Sequence, residues 1–92
     1  YGAATLRTST MKEQHMKITA SQHDAALRAC RKIRMLTSSN ESALLPGSQS
    51  ITAGKALSVL NDLLMYHTTN EHAPTSTLRQ SREIATLLQE EI

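Results

Sequence analysis

The stretch ITAGKALSVL, residues 51–60, decides how this chain is read. Thr52 or Ser50 stands where a helix cap belongs, and Ala53, Ala56, Leu57, Leu60, Leu63 and Leu64 follow at i, i+3, i+4 and i+7 spacing. This predicts an amphipathic helix from Ala53 to about Tyr66, with one apolar face turned inward. Gly54 sits one step inside that helix, where glycine costs about 1 kcal/mol relative to alanine, so a close approach of neighbouring structure is expected there. The pattern marks a buried helix and names no reaction.

Upstream, Leu27, Cys30, Ile33 and Leu36 form a second ladder. Thr19, with Gln22 three residues on, reads as a capping box for a helix from Ala20 to Met35 or Leu36. Its predicted inward face is Ala26, Leu27, Cys30, Ile33 and Leu36. Thr37-Ser38-Ser39-Asn40 ends it, because these side chains compete for backbone hydrogen bonds. Asn40 is expected to cap one further turn of helix on Ala43 to Leu45, stopped by Pro46-Gly47. From His67 to Thr77 no apolar face is visible and Pro74 interrupts any helix, so an exposed connection is expected. Thr77 then caps a last helix from Leu78 or Ser81 to Ile92, with Leu78, Ile84, Leu87, Leu88 and Ile92 inward.

Composition narrows the class. The 92 residues hold no Trp or Phe and only two Tyr, so the core is aliphatic. Good helix formers dominate it, and the expected fold is an all-α, compact four- to five-helix bundle. Residues 1–18 read as a flexible N-terminal tail, with Met11 to Lys17 offering a short helix; residues 19–92 read as the bundle. One cysteine permits no internal disulfide and no Cys-rich zinc site. No run of about 18 apolar residues is present to cross a membrane.

The formal net charge is only +2, too small to demand a nucleic-acid or membrane partner. Its distribution says more: between Leu27 and Lys55, Arg28, Arg31, Lys32, Arg34 and Lys55 face Glu41 alone. These five residues are the candidate partner-binding set, because cations on a helix can pair with acidic residues flanking the apolar anchor of a bound peptide. The bland alternative is a solvated helix face; nucleic-acid binding through salt-dependent phosphate contacts is the other use of the same stripe. His15, His23, His67 and His72 lack the spacing of a metal site, and His67 and His72 are expected in an exposed loop. No nucleophile elbow or Gly-rich phosphate loop frames the abundant Ser and Thr, so no enzyme, cofactor or metal is predicted.

Taken in order, the elements resemble the N-terminal domain of transcription elongation factor TFIIS, the LW domain. Leu27, Cys30, Ile33 and Leu36 look like its first ladder and Ala43 to Leu45 like its short helix. Thr52 to Leu60 look like its Gly-Lys helix, and Ser81 to Ile92 like its last. The chain departs from the pattern in having no tryptophan and a long 67–77 connection. The resemblance implies a nuclear, monomeric, non-catalytic domain of the transcription machinery that docks short disordered segments of partner proteins.

Overall fold

The computed structural model describes residues 15–92 and contains three helices and a two-stranded antiparallel ribbon. In chain order these are β1 (His15–Lys17), α1 (Ala20–Thr37), α2 (Ala53–Thr68), β2 (His72–Pro74) and α3 (Thr75–Leu87). This overturns the expected four- to five-helix all-α bundle, at two places and for local reasons.

The first is the segment between α1 and α2, where no helix forms on Ala43 to Leu45. Asn40 does close a single turn, accepting from Ser42 N on its side chain and from Ala43 N on its backbone. Leu45, Pro46, Gly47 and Ser48 then make a tight turn closed by Ser48 N to Leu45 O, with Gly47 at φ +82°. Proline followed by a left-handed glycine is the chemistry of a type II turn, and it folds the segment back on itself. Leu45 N therefore donates to Ile51 O and Ala53 N to Ala43 O, around a bridge between Leu44 and Thr52.

The second is the expected connection 67–77. Helix α2 continues through Thr68, helped by Thr68 and Thr69 hydroxyls that donate to Leu64 O and Met65 O. His72 to Pro74 then pair with His15 to Lys17, register Met16 to Ala73, and α3 starts directly at Thr75. Ala73 is fully buried, which anchors the ribbon. His15 to Lys17 are thus a strand and not part of a helix, and Ile18, also expected in the tail, is buried in the core; residues 1–14, with Met11 to Gln14, lie outside the described residues.

Two of the helix starts follow the sequence reading; α3 does not, since it begins at Thr75 behind Pro74 with no side-chain cap, and not at Leu78 or Ser81 behind Thr77. Thr19 and Gln22 form the full capping box, and Thr52 Oγ1 accepts from Lys55 N at 3.2 Å. All three helices end alike, in a Schellman closure around a left-handed residue that is not glycine. Ser38 (φ 52°), Asn70 (φ 60°) and Gln89 (φ 62°) occupy that position. Ser39 N to Arg34 O, Glu71 N to Tyr66 O and Glu90 N to Ala85 O close the three turns.

Helix α2 is central and packs against both α1 and α3. Its own Leu60 and Leu63, with Ile33, Leu45 and Leu78 from the rest of the chain, are the largest fully buried apolar side chains. On α1 the buried face is Ala25, Ala26, Ala29, Cys30, Ile33 and Thr37. Leu27 is half-buried and Leu36 is exposed, so two expected inward residues lie off the core. On α3, Leu78, Ser81, Ile84 and Ala85 are buried and Leu87 partly so; the helix ends at Leu87 and not at the expected Ile92, because left-handed Gln89 turns the chain, and Ile92 is partly buried beyond it. Gly54 is explained by packing against a loop: a Cβ there would approach Glu41 Cβ to 3.2 Å, and its N–H donates to Glu41 O.

Candidate functional site

The exposed face of α1 carries the cationic stripe. Helical spacing places Arg31, Met35, Arg28 and Lys32 side by side, with Arg34 and Leu36 at the two margins. These six residues divide into three kinds by what they touch.

Arg28 and Lys32 hold an internal partner. Arg28 Nε lies 3.0 Å from Glu90 Oε1 and Lys32 Nζ lies 2.7 Å from Glu90 Oε2, so one carboxylate bridges both cations. Lys32 Nζ also donates to Leu88 O at 3.0 Å, satisfying a carbonyl at the end of α3. The hydrogen bonds from Lys32 and then Arg28 hold the Glu90 carboxyl below the usual glutamate range, against a smaller opposing effect of desolvation. These two predicted binding residues thus bind the chain's own Glu90.

Arg31 and Arg34 have no acidic partner among the described residues and are exposed. Arg34 is close enough to Cys30 to offset in part the rise that burial imposes on that thiol. Lys55 is brought to none of these. It stands on the first turn of α2, at the rim of a separate cleft of about 180 Å³ between α2 and α3, opposite Glu83 and over Ile51, Val59 and Ile84. The five-residue candidate set therefore divides between α1 and a second place on the molecule.

Met35 and Leu36 are the third kind. Met35 is 77% exposed and Leu36 58% exposed, although both sit in a well-formed helix. They line a groove of about 380 Å³ with Pro46, Leu87 and Leu88, and Lys32 stands at its edge. The ladder spacing had placed Leu36 in the core. It is excluded because α1 meets α2 along Ala26, Cys30, Ile33 and Thr37, which leaves Leu36 on the flank facing the end of α3.

The histidines depart from expectation as well. His67 is in α2, half-buried, with its ring centroid 4.4 Å from that of His23 and a tilt of 33° between the planes. His72 lies in β2. Among the described residues no three His, Cys, Asp or Glu side chains are grouped to hold a metal ion, and no helix is long and apolar enough to cross a membrane. Glu90, Met35 and Pro46 were missed by the sequence reading. Only Met35 carried a signal, since it falls outside the apolar ladder Cys30, Ile33 and Leu36 on the cationic side of the helix. Compared with models of known protein families, with curated proteins and with solved structures, the chain matches none.

Proposed function

We propose that this chain is a non-catalytic interaction module that docks a short segment of a partner protein, apolar at its anchor and acidic at its flank. The observation that supports it is the groove at Met35, Leu36, Pro46 and Leu87, open to solvent, with the exposed Arg31 one helical turn from Met35. Exposed apolar residues gathered into one concave patch with a charged rim are a mark of docking surfaces. Arg31 favours a carboxylate next to the anchor, and the exposed cations of α1 steer association at low ionic strength. With two of the four α1 cations engaged by Glu90, less free positive charge is left for a phosphate backbone than the sequence suggested.

The resemblance to the transcription-factor domain extends this reading to a nuclear partner. That extension rests on the residues alone, because Ala43 to Leu45 form no helix and α3 runs from Thr75 to Leu87.

Selection of displayed random peptides on the chain tests the reading. Enriched sequences should share an apolar anchor with Asp or Glu beside it, and Leu36→Asp should weaken them at least tenfold. The thermal midpoint of that variant should move little, since Leu36 is already exposed. Peptides that bind Leu36→Asp and Met35→Asp as well as the parent chain would overturn the groove. Tight, steeply salt-dependent binding of a short duplex in place of peptides would move the stripe to nucleic acid.

A further inference from the structure

The basic stripe of α1 is already occupied, and its occupant shows the chemistry it takes. At Gln89 the left-handed backbone turns the chain out of α3, and Leu88 to Ile92 then run along α1. Three α1 side chains hold this strap: Lys32 on Leu88 O and on Glu90, Arg28 on Glu90, and Gln22 Nε2 at 3.5 Å from Ile92 O. Gln22, Ala25, Ala29 and Lys32 fall on one line of the helix, and both alanines are fully buried. Leu88 is buried at one end of the strap, and Ile92 is packed partly against the core at the other.

We infer that this stripe is a docking surface for an extended apolar-x-Glu-x-apolar segment, that Leu88–Ile92 is its occupant in cis, and that a partner segment of the same chemistry docks by displacing it. The inference rests on the reading of the chain as a peptide-docking module and supplies the partner's signature. Three observations carry it. The carboxylate, 11% exposed at its side chain, is gripped by two cations that stay open to water, Arg28 at 52% and Lys32 at 38%, so solvent screens the pairs from the cation side. The strap lies outside any helix or strand, so lifting Glu90 to Ile92 opens the closing turn of α3, Glu90 N to Ala85 O, and leaves every helix and the ribbon intact. Lys32 and Leu88 also line the apolar groove, so a partner that fills the groove adjoins the strap and gains from taking its place. A tethered strap acts at an effective concentration in the millimolar range, so a free segment competes only when such added contacts help it.

The test uses the full chain with Glu90→Ala, which removes the carboxylate without repulsion, and the blocked peptide acetyl-LQEEI-amide. Shifts of backbone amide resonances report both affinity and place. Glu90→Ala should take up the peptide at least tenfold more tightly than the parent chain, with shifts centred on Ala25, Ala29 and Lys32; the peptide LQQEI should lose most of that gain. Equal affinity for parent and variant, or no uptake by a variant whose resonances remain dispersed, overturns the inference. Should Glu90→Ala lose its dispersion, Glu90→Gln takes its place under the same criteria. Shifts confined to Met35, Leu36 and Leu87 also overturn it, while leaving the groove reading intact.

Discussion

Glu90 is the residue on which the α1 surface turns. Its carboxyl titrates lower in the fold than in the unfolded chain, so its contribution to stability is complete above the ordinary glutamate value of about 4.3 and is lost as pH falls through the lower folded value. Urea midpoints of the parent chain should therefore fall more steeply between pH 5 and pH 3, read as roughly that window, than those of Glu90→Gln. Added salt should narrow the difference, because both cations are partly exposed. Ser81 is the opposite case. It is fully buried in α3 and its Oγ has no hydrogen-bond partner among the described residues. An unsatisfied buried hydroxyl costs about 1–3 kcal/mol, so Ser81→Ala should leave stability unchanged or raise it by about 1 kcal/mol in thermal or chemical unfolding. A fall of that size would show that the hydroxyl has a partner.

At the scale of elements, the two starts with side-chain caps were legible, as was the end of α1 at Thr37-Ser38, whereas the start of α3 behind Pro74 and its end at Leu87 were not. Thr19 with Gln22 and Thr52 with Lys55 N act within four residues, so the sequence carries the whole device. Thr19→Ala should cost about 1 kcal/mol. The ends use Ser38, Asn70 and Gln89 where glycine is usual, so the common sign of a C-terminus was missing. A left-handed non-glycine residue is strained, and Ser38→Gly should stabilise by about 0.5–1 kcal/mol in equilibrium unfolding. Asn70 tolerates that conformation better than serine, so Asn70→Gly should gain less. The strands were hidden for another reason. His15-Met16-Lys17 has no strand propensity of its own and acquires a strand only by pairing with His72 to Pro74, far along the chain.

For the whole molecule the core was readable as a class and not as an arrangement. Leu60, Leu63, Ile33 and Leu78 were all expected inside and are. Leu36 was expected inside and lines a groove, because period alone does not say which neighbour a helix flank meets. The cations of the site were likewise visible, whereas the Glu90 that engages two of them lies 62 positions from Arg28. A chain this small has little stability to spare. Leu60→Ala, at a fully buried site in the central helix, should cost about 2–5 kcal/mol and leave the domain largely unfolded at 37 °C, as circular dichroism would report.

The ribbon joining Met16 to Ala73 also bears on how the molecule is made. Synthesis proceeds from the N-terminus, so α1 and α2 are complete while β1 still waits for its strand and the alanine line of α1 for its strap. Both late pieces close long loops, a slow step relative to helix formation. The ribbon and the strap are therefore the pieces expected to close last, after the local helices have formed.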